Sequence, residues 1–128
     1  MRAKELIKKN EKKNIGSYDN LDIKNTQNNL IEFKDKIIYN KGFIPDIFNK
    51  ANNPKNISWL HIDLNSSMPT LESLKFFYPK LEKNGVILFD DYAGVGYEET
   101  RSVVENFLKN KKINFLHLPT GQAIVTKK

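Results

Sequence analysis

Cysteine is absent from all 128 residues of the chain. Neither a disulfide nor a thiolate metal site is therefore available, and this composition is typical of proteins from reducing compartments. No apolar run approaches the roughly 20 residues that a membrane-spanning helix needs. The first five residues also lack the apolar stretch of a signal peptide. These absences predict a cytoplasmic protein without a membrane segment.

Acidic residues are outnumbered by basic ones, 15 against 21, which gives a net charge of +6. Residues 1–13 contain six basic side chains, opposed only by Glu5 and Glu11, so this short segment supplies four of the six net charges. A local excess favours a solvated terminal helix over a nucleic-acid-binding arm. Nucleic acid is therefore the least favoured partner.

The two parts of the chain differ in character. Residues 1–36 are polar, basic and weakly periodic, which predicts a partly helical N-terminal segment with a marginal helix over residues 2–13. Residues 37–128 form the second part, in which apolar strand-like and helix-like segments alternate from residue 58 onward, and this alternation predicts an α/β fold with a largely parallel sheet. The length and the 39% hydrophobic content fit one folded domain.

The predicted elements of the second part are five strands and two helices. The strands are expected at residues 37–39, 58–62, 86–89, 113–118 and 123–125. One helix starts near Pro69, bends at Pro79 and ends at Asn84-Gly85, and the other spans residues 98–110. Because only four residues join the last two strands, these strands should form an antiparallel hairpin.

The loop Gly94-Val95-Gly96 lies between a strand and a helix, where phosphate-binding glycine loops occur. The dinucleotide fingerprint would require glycine at the position of Glu99 and an acid at the end of the next strand, which has none. The two glycines are therefore interpreted as turn residues.

Three aspartates follow two neighbouring predicted strands. Asp63 ends the strand at residues 58–62, and Asp90 and Asp91 end the strand at residues 86–89. In parallel sheets ligands bind beyond the carboxyl ends of the strands, and carboxylate oxygens suit Mg²⁺, Mn²⁺ or Ca²⁺. The alternative, which the spacing alone favours, is that Asp63 and Asp91 cap the following turns or helices. His61 and His117 lie inside strands and are interpreted as packed or surface side chains.

A family resemblance is carried by two segments, "WLHIDLNSSMPTLESLKFFYPKLEKNGVILFDDYAGVGYEETRSVVENF" and "LPTGQAIV". They resemble the C-terminal half of class I S-adenosylmethionine-dependent methyltransferases, especially the metal-dependent macrocin O-methyltransferase type. The shared pattern is an Asp-x-Asp strand end, a Pro-Thr helix start and a Gly-Gly-apolar-Asp-Asp-Tyr strand, with small changes here. The resemblance implies a partial Rossmann-like sheet, mostly parallel with a C-terminal antiparallel hairpin and helices on its faces.

The same resemblance implies cofactors and site residues. S-adenosylmethionine would donate a methyl group to a small-molecule hydroxyl, and a divalent metal, Mg²⁺, would bind Asp63, Asp90 and Asp91. The second acid of Asp-x-Asp, which acts as general base in the family, is Asn65 here, and an amide cannot accept that proton.

The cofactor half of the family pattern is only partly matched. The segment "IIYNKGFIPDIF" resembles the part that lines the adenine pocket, with Gly42 and Phe43 at the matching positions. No glycine-rich loop precedes it, since Gly16 is the only earlier glycine. The central strand at residues 86–89 would then lose a neighbour, which predicts a homodimer or a complementary chain.

Two functions follow as hypotheses. The first is a metal-assisted O-methyltransferase or a truncated relative of one. The second is a non-catalytic remnant or interaction module with the methyltransferase fold that pairs with another chain.

Overall fold

A computed structural model describes residues 22–128 of the chain. The described residues belong to two units, which meet in the sequence between Tyr39 and Asn40. The described part of the first unit contains helix α1 (Ile23–Asn29) and a 3₁₀ helix at Ile31–Lys36. Asp22 caps α1 by accepting a hydrogen bond from the backbone N–H of Lys24 at 3.0 Å. The predicted helix over residues 2–13 lies outside the described residues, and the predicted boundary after residue 36 stays a prediction.

The second unit is built on one sheet of four strands, β1 (Ile57–Ile62), β2 (Leu81–Phe89), β3 (Ile113–His117) and β4 (Ala123–Lys127). Their order is β1-β2-β4-β3. β1 and β2 are parallel, and β4 is antiparallel to both β2 and β3. Three strands therefore run in one direction and β4 alone is reversed, which confirms the predicted α/β fold with a C-terminal antiparallel hairpin.

Two helices connect the strands. α2 (Ser67–Phe77) leads from β1 to β2, and α3 (Glu98–Leu108) leads from β2 to β3. Glu98 and Glu99 lie in the first turn of α3, where their charges suit the positive end of the helix dipole. Apolar side chains of both helices and of the sheet form the core, and the largest fully buried ones are Phe89, Leu74, Ile87, Val104 and Val125. None of the helices within residues 22–128 is long and apolar enough to cross a membrane.

The predicted strand at residues 37–39 is wrong, because this segment is irregular in the structure. The predicted strand is only three residues long, and the side chain of Ile38 in its middle is 62% exposed. So short a segment has too few ladder hydrogen bonds and too little burial to hold a strand by itself.

The predicted extension of the first helix to Asn84 is also wrong. α2 ends at Phe77 and a short 3₁₀ helix follows at Tyr78–Lys80. Pro79 has no N–H to donate, so the α-helical ladder cannot continue through this turn. Leu81 then begins β2 by pairing with Ile57 instead of forming the last part of the helical face.

Asn84 and Gly85 therefore lie inside β2 rather than at a helix end. The pairing of β2 with β1 shifts register between Ile57 and Trp59, and Asn84 has a φ of 63° at this irregularity. A Cβ atom on Gly85 would lie 2.9 Å from the backbone oxygen of Glu82. The glycine thus serves a close approach of the backbone within a bulge.

The position of the open sheet edge differs from the prediction. β2 has a neighbour on each side, so the expectation that this strand loses one is wrong. Within residues 22–128 the edge strands are β1 and β3, and Trp59 on β1 is 57% exposed. The predicted partner chain stays a prediction.

Candidate functional site

The three aspartates meet at one edge of the sheet. Ile62 pairs with Phe89 at the ends of the parallel strands β1 and β2, so the residues that follow lie side by side. The backbone N–H of Asp90 continues this ladder by donating to the oxygen of Ile62 at 3.0 Å. One carboxylate oxygen each from Asp63, Asp90 and Asp91 lies within 4.8 Å of the other two.

This spacing fits one divalent cation. Oxygen ligands bind Mg²⁺ or Ca²⁺ at roughly 2.0–2.6 Å, so ligands on opposite sides of one ion are about 4–5 Å apart. Asp63 is exposed, and Asp90 and Asp91 are half-buried. The donor set consists of hard carboxylate oxygens, which Mg²⁺, Mn²⁺ and Ca²⁺ prefer.

The carboxyl group of Asp91 is partly buried and lies close to two other acids, and both conditions affect its pKa. Burial raises the pKa of Asp91 above its ordinary value of 3.8, and the negative charges of Asp63 and Asp90 raise it further. Hydrogen bonds from the backbone of Asn65 and from Tyr97 act in the opposite direction, but the net direction is upward. A bound cation would offset the repulsion among the three carboxylates.

Capping of the following helix, one form of the alternative to metal binding, does not apply to Asp63 or Asp91. The N-cap residues of α2 and α3 are Ser66 and Tyr97. Asp91 instead accepts a hydrogen bond across the sheet edge, from the backbone N–H of Asn65 at 2.8 Å.

Asn65 orients its neighbours at this edge. Its backbone has a φ of 51°, a left-handed conformation that asparagine adopts more readily than most residues. Its side-chain oxygen accepts a hydrogen bond of 2.6 Å from the hydroxyl of Tyr97. Asn65 thus links the loop after β1 to the loop after β2.

Gln122 contacts the cluster from the opposite side. Its Nε2 donates to Oδ1 of Asp90 at 2.6 Å, and its Oε1 accepts from the hydroxyl of Thr120 at 2.9 Å. The position follows from the sheet register, because Ala123 pairs with Phe89 and the preceding residue therefore lies beside Asp90.

A cavity of about 360 Å³ opens beside the acids. Its size falls within the range of roughly 300–1,000 Å³ that is usual for small-molecule sites. Its lining consists of the two half-buried aspartates and mostly polar or small residues, namely Asp90, Asp91, Gly94, Tyr97, Thr120, Gly121 and Gln122. The arrangement can hold a cation and a small polar molecule next to each other.

Several of the lining residues were not identified from the sequence. Tyr97, Thr120 and Gln122 lie in the segments that carry the family resemblance, but the resemblance assigns them no role, and only the register of β4 against β2 places Gln122 next to Asp90. The interpretation of the glycine loop is extended by the structure. Gly94 accepts a hydrogen bond from the backbone N–H of Tyr97 at 3.1 Å, as in a turn, and it also lines the cavity.

The two residues predicted for cofactor binding lie in the irregular segment before the 3₁₀ helix at Asp46–Asn49. Gly42 packs closely on Ile47, where an added Cβ would lie 2.8 Å from the side chain. Phe43 is 88% exposed. Neither residue is among those that line the cavity, and their role in binding adenine stays a prediction.

The two histidines are exposed. The ring of His117 lies 5.6 Å from that of Tyr92. Neither histidine belongs to the cluster of Asp63, Asp90 and Asp91, the group of possible metal ligands within residues 22–128.

Tyr92 anchors the loop that follows the two adjacent aspartates. It is 2% exposed, and its hydroxyl donates to Oε1 of Glu105 on α3 at 2.8 Å. Arg101 donates to the same oxygen at 2.8 Å. Burial, together with the hydrogen bond to Glu105 and its negative charge, raises the pKa of Tyr92 to about 12, so the hydroxyl stays protonated as a donor.

Replacing Tyr92 with phenylalanine tests this anchor. The substitution removes one partly buried hydrogen bond and leaves the apolar ring in place, so the free energy of unfolding should fall by about 1 kcal/mol in urea denaturation. Glu105→Gln keeps an acceptor for the hydroxyl and serves as the control, with an expected change below about 0.5 kcal/mol. Equal stabilities of wild type and Tyr92→Phe would show that the bond contributes nothing.

Comparison with protein families gives a match over residues 7–117 to the family described as macrocin-O-methyltransferase (TylF). Among solved structures, the O-methyltransferase NovP is similar, with a TM-score of 0.62 and 16% identity over 82% of this chain and 44% of that one. The apo structure of CalS11, a TDP-rhamnose 3'-O-methyltransferase of calicheamicin biosynthesis, is similar over 56% of this chain and 32% of that one, with a TM-score of 0.46 and 19% identity. No curated protein matches the chain.

These similarities have a limited extent. The chain spans less than half the length of either solved structure. At 16% identity, the likeness to NovP supports a shared fold and nothing finer. It agrees with the partial methyltransferase-like sheet described above.

Proposed function

The chain belongs to the macrocin-O-methyltransferase (TylF) family, and from this premise we propose that it serves a metal-assisted methylation of a hydroxyl group on a small molecule. An O-methyltransferase family implies S-adenosylmethionine as methyl donor and a small molecule as acceptor. The observation that carries the proposal is the convergence of Asp63, Asp90 and Asp91 within 4.8 Å beside a cavity of about 360 Å³.

The residues at the sheet edge fit a divalent cation such as Mg²⁺. Asp63, Asp90 and Asp91 would hold it, and their close spacing and the raised pKa of Asp91 describe a site with excess negative charge. A bound Mg²⁺ would supply Lewis acidity that lowers the pKa of an acceptor hydroxyl. Asn65 is an amide and takes no proton, so the acceptor's proton would pass to water.

The polar groups of the cavity are suited to orient an acceptor. The hydroxyl of Tyr97 and the amide of Gln122 lie on the cavity wall next to the acids. In the transfer, the acceptor oxygen forms a bond to the methyl carbon, the bond from sulfur to that carbon breaks, and the sulfonium becomes a neutral thioether. Alignment of the two reacting atoms is the main requirement. Gly42 and Phe43 are proposed to contribute to the adenine side of the donor pocket.

A methyl-transfer assay tests this proposal. The chain is incubated with methyl-labelled S-adenosylmethionine, Mg²⁺ and a panel of sugars and phenolic compounds, with a chelator in the control arm. Label should move to an acceptor only in the presence of Mg²⁺. Isothermal titration with S-adenosylmethionine and with Mg²⁺ accompanies the assay, and absence of heat with both would exclude catalysis by this chain.

A second candidate is a non-catalytic module that keeps the fold and pairs with another chain. It is favoured by Asn65 at the position of the general base and by the absence of a glycine-rich loop among the glycines at 16, 42, 85, 94, 96 and 121. β1, an edge strand among residues 22–128, offers unpaired backbone groups for such pairing.

Light scattering, combined with thermal denaturation, distinguishes the two candidate functions. The module hypothesis predicts a dimer, or a monomer of low thermal stability that a partner chain stabilises. A monomer of ordinary thermal stability that binds Mg²⁺ and S-adenosylmethionine would contradict it.

A further inference from the structure

We infer that Gln122 is a positioning residue for Asp90, which it holds in the orientation that faces the other two acids. The inference rests on the proposed metal site and gives a role to a residue for which the sequence analysis predicts none. It is carried by the contacts on both ends of the Gln122 amide.

The orientation of the amide is fixed by its two hydrogen bonds. The hydroxyl of Thr120 donates to Oε1 of Gln122 at 2.9 Å. Nε2 therefore points to Asp90 and donates to its Oδ1 at 2.6 Å. The reverse orientation would place the amide oxygen against the carboxylate, where it has no proton to share. One oxygen of Asp90 is thus held, and rotation of its carboxylate is restricted.

The backbone around Gln122 is held in place as well. The oxygen of Gln122 accepts from the backbone N–H of Leu118 at 2.9 Å across the β3–β4 turn. Gly121, with a φ of 90°, accepts a hydrogen bond of 2.8 Å from the backbone N–H of Ala93. The turn is therefore hydrogen-bonded directly to the loop that follows Asp91, so a shift of the turn would also move this loop and the acids next to it.

The chemistry of glutamine suits this position. A neutral amide orients the carboxylate without neutralising it, whereas a lysine or arginine would compete with the cation. Partners in the outer shell of metal sites orient the ligands, and their loss lowers metal affinity by roughly 10–100-fold. Gln122 is expected to have an effect of this size.

The test is a Mn²⁺ titration of the full chain followed by electron paramagnetic resonance, with urea denaturation of each variant as a second readout. Gln122→Leu removes the donor and should weaken Mn²⁺ binding by roughly 10–100-fold. The matched control is Gln27→Leu, which changes the only other glutamine, an exposed residue of α1. The control should bind Mn²⁺ as the wild type does.

Thr120→Val keeps the test decisive if Gln122→Leu fails to fold. It removes the hydroxyl that orients the amide and should weaken Mn²⁺ binding by about tenfold, at an unchanged urea midpoint. Wild-type affinity in both variants, or in Thr120→Val when it alone folds, would overturn the role of Gln122. Absence of Mn²⁺ binding by the wild-type chain is a different result, because it would overturn the proposed metal site and the inference with it.

Discussion

Replacing Asp90 with asparagine is expected to weaken Mg²⁺ or Mn²⁺ binding by more than about 100-fold, since loss of an outer-shell partner alone costs roughly 10–100-fold. The substitution keeps the shape of the side chain and an oxygen that can accept from Gln122. It removes the negative charge and one hard ligand from the cluster with Asp63 and Asp91. Isothermal titration calorimetry measures the change.

Glu82→Gln is the matched control for this prediction. Glu82 is an exposed acid at the bulge of β2, and its change to an amide removes the same charge elsewhere. The control should retain wild-type metal affinity. Equal losses in Asp90→Asn and Glu82→Gln would mean that the chain attracts cations through its general charge, and no loss in Asp90→Asn would mean that this carboxylate is not a ligand.

Replacing Phe89 with alanine is expected to lower the free energy of unfolding by about 3–5 kcal/mol, because it empties a large volume in the core. Phe89 is 1% exposed and is among the largest fully buried side chains. Domains are stable by only about 5–15 kcal/mol in total, so the variant should be unfolded or close to it at moderate temperature. Urea or thermal denaturation followed by circular dichroism measures the loss.

Phe43→Ala is the matched control for the core substitution. The same atoms are removed, but the side chain is 88% exposed, and the expected change is within about 0.5 kcal/mol. A loss at Phe89 as small as that at Phe43 would contradict the described packing of β2. The Phe43 variant also bears on the adenine-pocket proposal, since it should weaken S-adenosylmethionine binding without unfolding the chain.

The parts of the fold that follow from local pattern were predictable from the sequence. The apolar runs that form β1, the end of β2 and the C-terminal hairpin gave correct strands, and the pairing of two short strands by a tight turn gave the antiparallel direction. The helix end was misplaced because the pair Asn84-Gly85 occurs in two kinds of local structure. It can end a helix, and it can also form a bulge within a strand, as it does here, where Leu81 pairs with Ile57 of β1.

The candidate site was predictable only where it depends on strand ends. Asp63, Asp90 and Asp91 follow parallel neighbouring strands, so their convergence could be expected from topology. Gln122 and Asp90 are 32 positions apart, and their contact depends on the register of β4 against β2. No local pattern encodes that register, so the segment around Gln122 contributes to the family resemblance without indicating its contact with Asp90.

Binding of Mg²⁺ to the wild-type chain decides whether Asp63, Asp90 and Asp91 form a metal site. Calorimetry at neutral pH should show one ion bound per chain, with competition between Mg²⁺ and Mn²⁺ for the same site and loss of binding in Asp90→Asn. This is the result expected if three carboxylates within 4.8 Å form a cation site at the end of the sheet. Absence of saturable binding of either ion to the folded wild-type chain would mean that the three carboxylates do not form a metal site.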